Sequence, residues 1–484
     1  PAATVTLSWG WCCCCYTHQG RTGTMLAVVA LAHASSALVA SSARLPGSIA
    51  ASTPALAHFT APQSLRSRPI FASATLEPQV AAPTAAEDAW IARTDLAAFK
   101  KDCQALGSRL EAEQGEADVK HLHKMVRWSN ACGLIGLLTM WMAPNPITVA
   151  ALSLWSMSRW TMIAHHTCHG GYNKQDDGTG RWTSGGFALG SLRKRVVDWF
   201  DWMLPEAWNV EHNNLHHFRL GESGDPDLVE RNLDTLRTIK LPRPLKYVYV
   251  AFLACVWKWY YYAPNTYKQL KMQEWKKTGK PLPEEVVEHD PFVITKFFEG
   301  EARALGYGFR DYMKRVAGPY IALRFLALPA PLLIFGKAFF FNAVANLLLA
   351  DVLSNIHTFI VIATNHAGDD LYKFEGSVTP KSGSFYMRQV VSSVNFRTGG
   401  DVNDFMHGWL NYQIEHHLWP QLSMLSYQKA APELKQICAK HGVPYVQENV
   451  FRRLKKTADI MVGATSMRRF DSSWNKPSDA FVWK

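Results

Sequence analysis

Charge is thin on this chain: Asp, Glu, Lys and Arg together make 19% of 484 residues. The apolar residues, 48% of the total, gather in long uninterrupted runs rather than at the periods of soluble helices and strands. An ordinary soluble protein is thereby disfavoured, although the length alone would accommodate about three domains. Paired cysteine spacing is missing too. Of nine cysteines, four form the block Cys12 to Cys15, and Cys103, Cys132, Cys168, Cys255 and Cys438 stand apart. A disulfide framework and a zinc ribbon are both disfavoured. With no Gly-x-Gly-x-x-Gly fingerprint and no spaced four-cysteine cluster, the chain offers no dinucleotide or iron–sulfur site of its own. Nor is there any acid from Pro1 to Leu76, a stretch with four arginines that accounts for four of the eleven net positive charges. The remaining excess lies in loops between apolar runs, without a basic, aromatic-interleaved repeat. Such a pattern suits an anionic membrane surface or an acidic partner, not nucleic acid.

What is present begins with targeting composition. From Met25 the chain reads Met-Leu-Ala-Val-Val-Ala-Leu-Ala and then small residues, as a secretory apolar region and cleavage site would. Arg44 to Ala74 is rich in Ser, Thr, Ala and Pro and free of acids, the composition of an organelle transit peptide. Residues 1–76 are therefore expected to be a removable leader addressed to a plastid membrane, with the endoplasmic reticulum as the alternative. Residues 77–124 read as a soluble helical prelude, in which Leu96, Phe99, Cys103, Leu106 and Leu110 recur at helical spacing after a cap at Thr94 or Asp95. Residues 125–457 form the membrane domain and 458–484 a tail. Two helical hairpins are expected there, Trp128 to Ala143 with Ile147 to Ala164, and Val316 to Phe335 with Ala338 to Thr364, each arm near the length of a bilayer crossing. A fifth apolar run, Tyr247 to Tyr262, holds Lys258 among aromatic residues and suits the membrane interface. The expected fold is an all-α integral membrane protein: four transmembrane helices in two hairpins, with a helical cap holding a histidine-rich di-metal site.

Eighteen histidines are sparse until His165 and then cluster directly after the membrane runs. His165 and His169 lie four apart, which on an α-helix puts both rings on one face, about a turn from each other, where they can grip one ion. His212, His216 and His217 repeat the spacing and add an adjacent ring pointing elsewhere, as a second ion would require. Gln413, His416 and His417 do the same from a third segment. Imidazole suits iron, zinc and copper alike, so the pattern indicates a metal without choosing one. His366 ends the last membrane run and is expected to be a ligand. Nine residues earlier, His357 lies about 180° away on that helix and is not, whereas Asn355 lies within about 20° of the His366 face. His166, about 100° from His165, and His407, outside the spacing, are expected to be structural or to support the ligands from behind. Asp351 is either such a supporting residue or a polar helix-packing residue.

With these boxes in order, the chain resembles the membrane histidine-box fatty acid desaturases, in particular the front-end acyl-lipid desaturases, from about Val126 to Arg452. The most specific stretch is Gly408-Trp409-Leu410-Asn411-Tyr412-Gln413-Ile414-Glu415-His416-His417-Leu418-Trp419-Pro420, with glutamine in place of the first histidine of the last box. Asp225-Pro226-Asp227 after the second box also matches. The resemblance implies two iron ions held by His165, His169, His212, His216, His217, His366, His416 and His417, with Gln413 as ligand or near neighbour and Glu415 in support. It further implies O2-dependent desaturation of an acyl chain in a membrane lipid, giving a cis double bond between the carboxyl end and an existing one. His166 stands where front-end members usually carry Asp, and the His-Pro-Gly-Gly motif of a fused cytochrome b5 domain is missing. Electrons are therefore expected from a separate carrier, ferredoxin in a plastid or cytochrome b5 in the endoplasmic reticulum. The carrier would be attracted by Arg193, Lys194, Arg195, Lys240, Arg243, Lys246, Arg452, Arg453, Lys455 and Lys456. Two other readings stay open: a histidine-box hydroxylase or ketolase acting on a lipid or carotenoid, and a membrane metal-binding or receptor-like protein.

Overall fold

The computed structural model describes residues 87–483; the leader expected over 1–76 lies outside them. The prelude helix α1, Leu96–Glu113, starts at Asp95, whose carboxylate accepts from the backbone N–H groups of Ala97 and Ala98. Its stripe of Leu96, Phe99, Cys103, Leu106 and Leu110 is buried. Next comes α2, Glu116–Thr139, which runs unbroken across the boundary expected at residue 124. A turn capped by Asn145, which accepts from Thr148 N–H, leads into α3, Pro146–Met157. Close approach of α2 and α3 depends on glycine. A Cβ on Gly136 would sit 2.5 Å from Leu152 Cδ2, and one on Gly133 would sit 2.8 Å from Trp155 Nε1.

The run expected at the interface is the start of a long helical stretch. It comprises α4, Arg243–Trp257, a π-helical turn over Lys258–Tyr262, and α5, Ala263–Lys276. Lys258 does not reach toward water. Its ammonium is buried and pairs with Asp201 at 2.9 Å, as a charge removed from solvent must. One face of α4 still exposes Leu245, Val248 and Phe252.

The second hairpin comprises Phe309–Phe335 and the helix α6, Lys337–Ile362, which continues to Asn365 as a tight turn. These two stretches, among the described residues, are long and apolar enough to cross a membrane; the two arms of the first hairpin are long enough but not among those apolar enough. α6 packs against α3 and α4. Together the hairpins turn Leu134, Ile135, Leu138, Leu333, Ile334 and Phe341 outward, an apolar surface far larger than isolated exposed residues would make.

Four further helices pack around the site: α7, Gly383–Val391; α8, Gln413–Leu418; α9, Met424–His441; and α10, Val450–Met461. α1 lies against α7 and α9, so the prelude is a packing helix of this cap. Two small sheets pin the tail to the body. Tyr372–Phe374 pairs in parallel with Arg468–Phe470, and Ser377–Val378 pairs antiparallel with Ala480–Phe481.

Candidate metal centre

Four segments converge beneath the helical bundle. The first follows α3, which widens into a π-helix over Ser158–Ala164 and then carries His165 to Cys168 as an α-turn. The second is itself a π-helix over Asn209–His216, in which the N–H of His217 donates to the carbonyl of His212 five residues back. The third is the end of α6 at His366, and the fourth is α8.

The histidines sort into two sets. His165, His169, His212, His217 and His416 form one, and His216, His366 and His417 the other; within each set the ligand-capable atoms lie within 4.8 Å of one another. In the larger set the ring nitrogens face each other directly. His165 Nε2 is 2.9 Å from His212 Nε2, His212 Nε2 is 3.3 Å from His217 Nε2, and His217 Nε2 is 3.0 Å from His416 Nε2. The His169 ring is 4.3 Å from that of His217, and its Nε2 is buried without a partner. In the smaller set His366 Nε2 is 3.2 Å from His417 Nε2, and the His216 ring lies 5.0 Å from each of theirs. The sets touch where His217 stacks on His417 at 4.4 Å.

The partition of the second box departs from α-helical spacing. On an α-helix His212 and His216 would share an ion and His217 would turn away. The i→i+5 bonding of the π-helix brings His217 to the side of His212 and sends His216 to the other set. His212 stays close enough to His216 and Asp227 to form a further possible grouping with them. In the first box, and in the α-helical third, residues four apart do meet: His165 with His169, and Gln413 with His417.

Gln413 is drawn in more closely than a bystander. Its Nε2 lies 2.9 Å from His366 Nε2 and 3.1 Å from His417 Nε2, while its Oε1 accepts from Asn365 Nδ2 at 3.2 Å. An amide nitrogen has no lone pair to coordinate with. In this orientation Gln413 is a hydrogen-bonding neighbour, and it becomes a ligand only with the amide turned.

Outer contacts fix the rings. Nδ1 of His165 donates to Thr161 O, that of His366 to Ser392 O, and that of His417 to Gln389 Oε1. His416 Nδ1 lies 3.3 Å from the Tyr427 hydroxyl, and His216 Nδ1 donates to Asp225 at 2.8 Å. With hydrogen on Nδ1, each Nε2 keeps a lone pair aimed into the centre. Burial drives His165, His169, His212, His217, His416 and His417 well below the usual imidazole range, and His366 to about 3. His216 is the exception: burial pulls it down, but the Asp225 carboxylate outweighs burial and raises it. Neutral imidazoles packed nitrogen to nitrogen repel unless a cation lies between them. The donor set therefore fits metal ions, as eight nitrogen ligands in two groups.

The residues expected to support the ligands divide. His166 donates to Met162 O at 2.6 Å and packs beside His416 and Tyr427, joining neither set. Glu415 is buried and turned outward, accepting from Asn395 Nδ2 at 2.7 Å and Tyr445 OH at 2.8 Å; burial raises it to about 7. Asp351 pairs with Arg324 at 2.8 Å and accepts from Trp202 and Tyr320 within the bundle, so it is the helix-packing residue. Asn355 donates to Cys255 O at 2.8 Å; the tightened turn after Ile362 breaks the helical phase that related it to His366. His357 faces Met406 O and His407 faces Asn403 O, both outside the two sets. Three of the basic residues assigned to a docking face are buried. Arg195 donates to the carbonyls of Asp201, Trp202, Arg315 and Val316, Lys246 to Arg237 O, and Arg453 to Asp370. Arg193, Lys194, Lys240, Arg243, Arg452 and Lys455 remain exposed. Gln389 and Tyr427, which hold His417 and His416, carried no signal in the sequence because nothing local distinguishes them from other residues of apolar helices.

A family model described as fatty acid desaturase matches residues 139–449, more than half of the chain. A fatty acid desaturase 2-like protein of Mus musculus is 40% identical over 83 residues, which is 16% of this chain and 17% of that protein. The NADPH-dependent stearoyl-CoA 9-desaturase of Mycobacterium tuberculosis is 22% identical over 376 residues, 75% of this chain and 78% of the relative. The Delta(8)-fatty-acid desaturase of Euglena gracilis is 35% identical over 91 residues, 18% of this chain and 20% of the relative. No solved structure matches the chain.

Proposed function

Because this chain belongs to the fatty acid desaturase family, we propose that it is a membrane acyl-lipid desaturase of the front-end type, consuming O2 and two external electrons to place a cis double bond in an acyl chain. The observation that carries this reading is the pair of buried histidine sets, five and three strong. Two iron ions would be held there, by His165, His169, His212, His217 and His416 and by His216, His366 and His417, with Gln413 as ligand or immediate neighbour. When bound, such ions supply the oxidant that removal of hydrogen from an unactivated methylene needs. The chain's own residues do the rest. Thr161, Gln389, Ser392, Tyr427 and Asp225 keep hydrogen on Nδ1 of five rings, so that their Nε2 atoms are free to bind. Burial excludes water and keeps the imidazoles other than His216 neutral. Asp225 balances charge at His216 while also accepting from Gly221 N and Asp227 N.

In this reading the outward apolar surface faces lipid. The hairpins would cross four times and α4 would lie in the interface, leaving all three boxes on one side. Cysteines placed at Gly221 and Gln421 should then label from the same compartment. Two-sided labelling would refute this arrangement. Arg193, Lys194, Lys240, Arg243, Arg452 and Lys455 are the exposed cations left to attract an acidic carrier, with ferredoxin favoured for a plastid membrane and cytochrome b5 for the endoplasmic reticulum.

The test is expression of the full chain in a host poor in desaturases, followed by fatty acid profiling. The expected product is a new cis double bond on the carboxyl side of an existing one. A hydroxy or keto product, or a bond on the methyl side, would overturn the reading. Reconstitution with each carrier assigns the donor.

A further inference from the structure

The helix that carries the second box has two faces, and the one turned away from the histidines borders a cavity of about 90 Å³. Val210, Asn214 and Leu215 form that wall, and the segments around Gly224, Gln269 and His289 close the others. That is room for several waters, and so for one tetrahedral oxyanion.

Charge on the walls is unbalanced. Arg219 and Arg231 both line the cavity, and among the described residues neither makes an ion pair with a carboxylate. The acids in the wall are already matched, Glu288 with Lys276 and Asp290 with Lys296. The Arg219 guanidinium is held over the Trp483 ring at 4.7 Å, its Nε buried without a partner. Arg231 is braced by Asn232 Oδ1 at 2.8 Å and by the Ser223 carbonyl. Gln269 and Gln273 add amide donors from α5. Gly224 keeps the floor open: a Cβ there would sit 2.8 Å from Arg219 Nη1 and 3.5 Å from His289 Cε1. Two guanidinium groups without a carboxylate partner, with amide donors around the same void, supply the donor chemistry that phosphate recognition uses.

We infer that this cavity binds a phosphate group. Its source is either the head group of a phosphate-bearing acyl lipid or free phosphate. The first assignment rests on the acyl-lipid reading above, whereas the site itself does not. An occupant presses on the back of the helix whose other face supplies His212, His216 and His217.

Calorimetric titration of the full chain, purified in a phosphate-free detergent, tests this with inorganic phosphate, lysophosphatidic acid and the free fatty acid of the same chain length as probes. Inorganic phosphate should bind the wild type, and R219Q/R231Q should weaken that binding at least tenfold with iron content unchanged. Should the double variant aggregate, Q273E serves, because a carboxylate in the cavity displaces the anion or takes its place; the same loss is expected. Lysophosphatidic acid binding at least tenfold tighter than phosphate, with the advantage lost in the variant, identifies the head group. Equal affinity identifies free phosphate. Either result supports the site. No phosphate binding by iron-loaded wild type, or affinities within twofold in R219Q/R231Q or Q273E, overturns this inference and leaves the proposed function untouched. Phosphate binding by a protein that takes up no iron does the reverse.

Discussion

His216 and His217 are neighbours in the chain, yet their replacement by alanine should have different consequences for metal content. H217A removes one of five imidazoles and leaves four, a complete tetrahedral complement. H216A removes one of three and leaves two with Gln413 beside them. Loss of a group that merely orients a ligand costs about 10–100-fold in metal affinity. Loss of a ligand from a three-imidazole site should exceed the upper end of that range, about 2.8 kcal/mol or more at 1.4 kcal/mol per tenfold. Under a graded chelator challenge, iron per chain measured by plasma mass spectrometry should therefore fall from two to one in H216A at chelator levels where H217A still holds nearly two. Activity should be lost in both. H216A also strands the buried Asp225 carboxylate, which is destabilising by itself. H417A removes an imidazole of the same small set without touching Asp225 and should reproduce the H216A stoichiometry. If H217A sheds a whole ion while H216A keeps both, the α-helical pairing of His212 with His216 is correct and the π-helical assignment is wrong. Equal losses would remove the two-set partition altogether.

Other outcomes follow from the same contacts. D225N, which keeps the shape and loses the charge facing His216, should lower affinity for one of the two ions about 10–100-fold in the same chelator assay. Q413A should cost less iron than H417A, because the Gln413 amide nitrogen cannot coordinate; an equal loss would mean that the amide turns and its oxygen is a ligand. H357A should retain iron and most activity, losing one hydrogen bond to Met406 O, about 0.5–1.5 kcal/mol of stability. Asp102, held at about 2 by Lys440 and His441, ties α1 to α9. A depressed carboxylate contributes above its unfolded value near 4 and loses that contribution as pH falls toward 2. D102N should therefore flatten the acid limb of a melting-temperature profile between those values, and an unchanged slope would refute the assignment.

Local spacing in the sequence was enough to bring out the prelude helix, its cap at Thr94 or Asp95 and its buried stripe, because an amphipathic helix and its cap are encoded within one segment; the structure chose Asp95. The turn between the first hairpin's arms and the pairing of His165 with His169 were equally legible, since residues four apart on an α-helix are neighbours whatever else the chain does. Neither the widened helix over Asn209–His216 nor the tightened turn after Ile362 leaves such a trace. The first redirected His217, and the second removed Asn355 from the His366 face, so angular bookkeeping at 100° per residue failed at those two places. Burial was also beyond reach of the sequence. Arg195, Lys246, Arg453 and Lys258 look like solvent-facing cations in one dimension, and become internal when carbonyls and carboxylates from remote segments satisfy them. Gln389 and Tyr427 became partners of His417 and His416 only when α7 and α9 packed against α8. Residue type and spacing thus selected the chemistry available to this chain. Which nitrogen meets which was decided by helix widening and by packing between segments, both of which depend on contacts that no local window of sequence contains.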